Sequence, residues 1–546
     1  MNSESGTLTI TGKIVDVTGG TIFPGRIEIN DGIITSVIPV ENSDGPYILP
    51  GLIDAHVHIE SSMLLPSEFA RLAVVHGTTS TVSDPHEIAN VLGKEGIRFM
   101  IQNGKKVPFR FFFGAPACVP ATPFETSGAV IGPEDVDELL SWPEIHYLSE
   151  MMNFPGVLNG DPDVMKKLAS AKKYGKPVDG HAPGLDGVQA AAYASAGIST
   201  DHECFTIDEA VDKITAGMSI LIREGSAAKN FDELIPLISM YPDKIMFCSD
   251  DKHPDDLVKG HINLLVKRAV KAGYSFLDVI RACTLNPVRH YNLNSGLLRS
   301  GDPADFILLD NPEDFNVLAT YVNGVKVAEN GRTLIAHVGE VAINAFRARK
   351  ISAGDLEVPA IAEGIKVQQA LEGQLITVKK LYKAKTENGK VISAPEHDVL
   401  KMMVMSRYSH ADPAIDFVSG FGFREGAIAS TVAHDSHNII AVGVDDESIA
   451  RAVNLLIDVK GGISFVNGEK TRVLPLPVAG LMSDDDGYKV AELYSSINRQ
   501  VMEMGSALEA PFMTLSFMAL LVIPAIKLSD KGIFDGTTFS FTTLFE

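Results

Sequence analysis

Between residues 47 and 252 the chain alternates short apolar runs with stretches whose apolar residues recur at helical spacing. Eight runs stand out, at 47–58, 78–86, 109–120, 145–153, 177–183, 198–204, 219–227 and 244–252. Helical patterns separate most of them, for example at 66–75, 162–174, 207–215 and 254–271. Strand followed by helix, repeated eight times over roughly 240 residues, predicts a (β/α)8 TIM barrel. A doubly wound sheet would need a phosphate-binding glycine fingerprint after its first strand, and none is present.

The texture differs on either side of this region. Residues 7–50 alternate β-rich runs with turn signals such as Asn30-Asp31-Gly32, and the same pattern returns at 301–334. The two segments are expected to pair into a small flanking β-sandwich domain built from both sides of the barrel. After about Arg349 short strands and turns lead into helical patterns at 445–457 and 487–504, which predicts a separate C-terminal α+β domain. The expected division is 1–49 with 295–348 for the composite β domain, 50–294 for the barrel, and 349–546 for the C-terminal domain. A chain of 546 residues, 45% apolar and 21% charged, is long enough for about three cores of this kind.

Charge and cysteine usage narrow the partners. The net charge of -22 argues against nucleic acid or an anionic membrane face, both of which reward clustered Lys and Arg. Cys118, Cys204, Cys248 and Cys283 lie far apart, as expected for reduced thiols in a cytoplasmic protein. Met1-Asn2-Ser3-Glu4-Ser5-Gly6 opens with no basic region before an apolar run, so no secretory signal is expected. Residues 512–526 are the most apolar stretch, but they carry Thr514, Ser516 and Pro524 and fall short of the roughly 20 residues a span needs. They read as a buried helix.

In a barrel the active site lies at the C-terminal ends of the strands, so the residues closing each run carry the chemistry. The first run ends in His56 and His58, which share one face of a strand and have the spacing to grip one metal ion. A lone pair of this kind is more often two ordinary buried histidines. Here, however, the second run ends in Ser83-Asp84-Pro85-His86-Glu87, the fourth in Ser149-Glu150-Met151-Met152, the fifth in Asp179-Gly180-His181, the sixth in Asp201-His202-Glu203 and the eighth in Ser249-Asp250-Asp251. A ring of histidines and carboxylates at equivalent strand ends points to a metal centre.

These motifs resemble the amidohydrolase superfamily and, within it, the adenine deaminases. The resemblance rests on Pro50-Gly51-Leu52-Ile53-Asp54-Ala55-His56-Val57-His58, the stretch Asp84 to Gly93, Ser149-Glu150-Met151-Met152-Asn153, Gly180-His181-Ala182-Pro183-Gly184, Thr200-Asp201-His202-Glu203, and Ser249 to Leu257. It extends to Ala433-His434-Asp435-Ser436-His437-Asn438 in the tail. It implies a binuclear centre with His56 and His58 on one ion, His181 and His202 on the other, Glu150 bridging, and Asp250 from the eighth strand. Most binuclear relatives bridge with a carboxylated lysine; a glutamate supplies two oxygens without that modification. The implied metals are two divalent ions, Mn2+ or Fe2+ before Zn2+, and histidine with carboxylate ligands suits all three.

The implied reaction is hydrolysis of adenine to hypoxanthine and ammonia, a step of purine salvage and adenine catabolism, by hydroxide held between the ions. Asp250 would shuttle the proton, Glu150 and His202 would support the reacting centre, and Asp84, His86, Glu87 and Asp251 are candidates for substrate contact or for orienting the ligands. Two other readings stay open: a cyclic-amide hydrolase of the dihydroorotase or hydantoinase kind, against which Glu150 counts, and a barrel that has lost its chemistry. Gly420-Phe421-Gly422 with Gly426 reads as loop packing. His434, Asp435 and His437 are either a further metal site or, in the preferred reading, a polar loop over the barrel mouth. A homodimer or higher homo-oligomer is the expectation for a barrel enzyme.

Overall fold

The computed structural model describes residues 7–546, so the expectation for Met1 to Gly6 lies outside the described residues. Each of the eight apolar runs contains a strand, at Leu52–His58, Thr78–Ser83, Arg110–Ala115, Ile145–Met151, Val178–Gly180, Thr200–Asp201, Ser219–Arg223 and Ile245–Cys248, the last continuing as Asp250–Asp251. Neighbours pair in parallel. Asp250 and Asp251 pair with Val57 and His58, which closes the eighth strand on the first. The Ser199 N–H donates to the Val178 carbonyl at 2.9 Å and ties the fifth strand to the sixth. Inward-facing Ile53, Ala55, Val82, Phe112, Tyr147, Leu221 and Met246 fill the barrel as a packed core.

Local sequence explains several helix limits. Pro162–Tyr174 starts where the Asp161 carboxylate accepts the N–H groups of Asp163 and Val164, and stops at Gly175, whose φ of +64° suits a residue without Cβ. Ile207–Thr215 starts at Thr206, whose hydroxyl accepts the Glu209 N–H. The 254–271 pattern forms two helices, Pro254–Lys259 and Ile262–Lys271. The break turns His261 inward, where its Nε2 lies 2.8 Å from Asp54 Oδ2 and its Nδ1 2.8 Å from Thr78 Oγ1. A satisfied buried imidazole thus outweighs one turn of regular helix.

The two flanking β segments join in one eight-stranded sheet. Its centre sets Tyr47–Pro50 between Leu8–Asp16, parallel, and Phe306–Leu309, antiparallel. The pleat gives it two apolar faces. Ile14, Ile27, Ile34, Phe306 and Tyr321 form a cluster of their own, while Val15, Leu49, Ile307 and Leu309 pack onto the barrel. Gly51 joins this sheet to the first barrel strand, and a Cβ there would sit 2.1 Å from Thr79 Oγ1. Only glycine permits that approach.

The C-terminal part carries a second eight-stranded sheet, with Leu400–Met405, Ile439–Gly443 and Ala427–Ser430 at its centre. Asp446–Val459 covers one face. On the other side, Val490, Tyr494 and Ile497 of Gly487–Glu503 share a single apolar core with Phe69 and Leu72 of Pro66–Ala73 and with Leu257. Residues 512–526 contribute the short helix Pro511–Phe517 and the turns after it, largely buried. Among the described residues no helix is long and apolar enough to cross a membrane.

Candidate metal centre and active site

Alternation along the first strand puts His56 and His58 on one face, with their Nε2 atoms 3.2 Å apart. The His58 Nδ1–H donates to the Asp84 carbonyl at 3.2 Å, which leaves Nε2 its lone pair. Glu150, from the fourth strand, lies between the sets: Oε1 is 3.4 Å from His58 Nε2, and Oε2 is 2.7 Å from His181 Nδ1 and 3.3 Å from His202 Nε2. Asp250 Oδ1 is 3.4 Å from His58 Nε2 and 3.6 Å from His56 Nε2. The structure therefore brings together all six residues of the expected ligand set.

Neighbouring elements hold these groups. Tyr193 accepts the His181 N–H and donates to the Met151 carbonyl at 2.7 Å, fixing the ends of strands four and five to each other. The Asn230 amide donates to the His202 and Cys204 carbonyls. Asp54 accepts the Ser249 N–H at 2.9 Å just before Asp250, which adopts φ +54° and so leaves the regular strand direction.

One charged residue at the site, Arg223, was not singled out by sequence, whereas Glu203 was read as closing the sixth run. Arg223 ends the apolar strand Ser219–Arg223; it donates to both oxygens of Glu203 and, at 2.6 Å, to Asp250 Oδ2. Glu203 Oε1 in turn lies 3.5 Å from His202 Nε2. An arginine inside a buried, otherwise apolar strand was the available signal. Burial opposes ionisation of Asp250, but Arg223 beside it holds its carboxyl well below the usual range.

The remaining candidates surround this centre. Asp84 accepts the His86 N–H at the start of the helix His86–Leu92, and its Oδ2 lies 3.0 Å from His86 Nδ1. Ser61 Oγ is 2.7 Å from Glu87 Oε1 and 2.5 Å from Asp251 Oδ1. From the C-terminal part, Leu375, His434, Asp435, Phe517 and Leu520 complete the pocket over these residues. The His434 ring stacks on Phe517 with centroids 4.7 Å apart.

The donor set fits divalent cations. Four imidazoles and two carboxylates converge in overlapping groups whose donor atoms lie within 4.8 Å of one another, and Arg223 pairs with Glu203 and Asp250. Nitrogen and oxygen donors without thiolate match Zn2+, Fe2+ or Mn2+. Glu87, His434 and His437 form another buried group, but the Ala433 N–H donates to His437 Nδ1 at 3.2 Å. The proton of that neutral imidazole then sits on Nε2, which leaves no lone pair for a metal.

A sequence profile of the amidohydrolase family matches residues 47–327, and a profile described as the adenine deaminase C-terminal domain matches residues 374–540. The adenine deaminase of Salinibacter ruber is 54% identical over 98% of this chain and 99% of its own length. The chain belongs to the adenine deaminase branch of the amidohydrolase family. Adenine deaminases of Methanosarcina mazei, 53% identical over 98% of this chain and 99% of the relative, and of Parabacteroides distasonis, 47% identical over the whole of both chains, agree. Membership accounts for both halves of the pocket, since one profile covers the barrel residues and the other covers Leu375, His434, Asp435, Phe517 and Leu520.

Proposed function

We propose that this chain hydrolyses adenine to hypoxanthine and ammonia. The observation that carries the reading is the convergence of His56, His58, His181, His202, Glu150 and Asp250 beneath a pocket closed by the segment matching the adenine deaminase C-terminal profile. His56 and His58 would hold one divalent ion and His181 and His202 a second, with Glu150 shared between them; Mn2+ or Fe2+ is favoured over Zn2+. Bound there, the ions would supply water acidified enough to attack C6 of the base near neutral pH.

The chain's own groups do the rest. Arg223 keeps Asp250 ionised and occupies Oδ2, so Oδ1 is the atom left to accept a proton beside His56 and His58 and to pass it to the departing amine. Glu203 holds Arg223 from its other side. Asn230 fixes the backbone of His202. Leu375, Phe517 and Leu520 exclude bulk water and present apolar surface to a flat ring.

The division into a composite β domain (1–49 with 295–348), a barrel (50–294) and a C-terminal domain (349–546) belongs to the same proposal. So do a cytoplasmic place in purine salvage, which four buried free cysteines suit, and assembly as a homo-oligomer. The test is to incubate the Mn2+- or Fe2+-loaded protein with adenine and measure hypoxanthine and ammonia. Stoichiometric release of both is expected; hydrolysis of dihydroorotate or hydantoin with none of adenine would overturn the reading.

A further inference from the structure

Most polar groups lining the pocket are already engaged. The six proposed ligands face one another, Arg223 and Glu203 pair, and Glu87 Oε1 and Asp251 share the hydroxyl of Ser61. Glu87 Oε2 and His181 Nε2 are also buried without a hydrogen-bond partner, but burial pushes the Glu87 carboxyl well up and His181 is a proposed ligand; Asp435 differs from both. It reaches the barrel from the loop between Ala427–Ser430 and Ile439–Gly443, is 3% exposed, and sets Oδ1 3.8 Å from His86 Nε2. Its Oδ2 is buried with no hydrogen-bond partner. Although burial opposes its ionisation, His86 keeps its carboxyl below the usual range, whereas the Glu125 carboxyl nearby is pushed up to about 8 by burial and then by Asp435. Asp435 is thus a buried carboxylate with an unused acceptor, and such a group is costly unless a donor meets it.

Free adenine offers N–H donors at two places. The exocyclic amine must lie against Asp250 and the metal ligands, because that is where the C–N bond breaks. The other N–H is on the five-membered ring, at N9 or N7, and any substituent on that nitrogen removes it.

We propose that Asp435 accepts the five-membered-ring N–H of the free purine, making the C-terminal segment the part of the enzyme that separates a free base from an N-substituted one. The proposal rests on the adenine reading above. The flat wall of His434 stacked on Phe517 would lie along the ring, and Leu375 and Leu520 would close the space a substituent needs. A site built around a hydrogen bond rejects the ligand lacking it far more strongly than an apolar pocket rejects extra bulk.

The test pairs a deletion on the protein with one on the ligand. KM and kcat for adenine, and inhibition constants for 7-methyladenine and 9-methyladenine, are measured on metal-loaded wild type and Asp435→Ala, with metal content determined on the same samples. Both methyl isomers lack the five-membered-ring N–H, so wild type should prefer adenine to each of them by on the order of 10²-fold or more. In Asp435→Ala the KM for adenine should rise about tenfold or more, kcat should change much less, and that preference should collapse. If the alanine variant does not fold, Asp435→Asn keeps the volume, loses the charge, and should shift KM and the preference in the same direction. An unchanged KM, or a preference intact in the variant, overturns the role of Asp435. Failure of wild type to turn over adenine at all would instead overturn the underlying reading.

Discussion

Two buried groups of histidine and glutamate face the same pocket, and they differ in where the imidazole protons sit. In the barrel group the His58 Nδ1–H is consumed by the Asp84 carbonyl, so the nitrogen facing Glu150 and Asp250 carries a lone pair. In the C-terminal group the Ala433 N–H consumes the lone pair of His437 Nδ1, so the other nitrogen carries a proton. Both groups set imidazoles beside carboxylates; one backbone hydrogen bond decides whether His58 or His437 can offer a lone pair to a cation. The barrel group suits cations, and the C-terminal residues around it suit the organic part of a substrate.

The contrast can be broken at several points. The largest effect is expected from Asp250→Asn, which removes the proposed proton acceptor and should lower kcat by about 10³-fold or more while bound metal, measured by atomic emission, stays near the wild-type level. An active variant would take Asp250 out of proton transfer. Arg223→Met leaves Glu203 and Asp250 buried without their cation and should cost about 3–5 kcal/mol of stability in urea unfolding. A loss below about 1 kcal/mol would mean that the ion triad contributes little to the barrel rim.

The C-terminal side has its own pH signature. Lys527 is fully buried, donates to the carbonyls of Leu375 and Phe517, and is pushed by burial to about 7, against about 10.4 in an unfolded chain. Between those values the unfolded chain binds more protons, so stability should rise with pH, by at most about 1.4 kcal/mol per pH unit. Unfolding of wild type and Lys527→Met across pH 7–10 measures this, and the variant should lose that contribution to the slope. His437→Gln should have the smallest effect, about 1 kcal/mol in stability with metal content unchanged. Loss of a metal equivalent in this variant would put a cation in the C-terminal group.

What could be read from the chain follows the range of the interactions. The His56–His58 pair and the helix Pro162–Tyr174 depend on strand alternation and on the adjacent Asp161 cap, so a short stretch of sequence contains them. The Arg223–Glu203–Asp250 triad joins three strands, and neither the pairing nor its direction is written in any one of them. The break at His261 was hidden for the same reason, since its partners Asp54 and Thr78 lie near the other end of the barrel segment. Asp435 and His86 lie 349 positions apart in the sequence, and only the fold shows that a loop of the second sheet lines the barrel mouth. Residues 512–526 read as a buried helix from composition alone; that Phe517 and Leu520 also line the pocket required the packing.

The most direct measurement is a titration of metal-free protein with Mn2+ or Fe2+, following bound metal and adenine turnover in the same samples. Turnover should appear with the first equivalents and level off at about two ions per chain, the number that four histidines, Glu150 and Asp250 can hold. Turnover in fully metal-free protein, or activity that levels off only with a third ion that His437→Gln abolishes, would contradict a centre confined to the barrel.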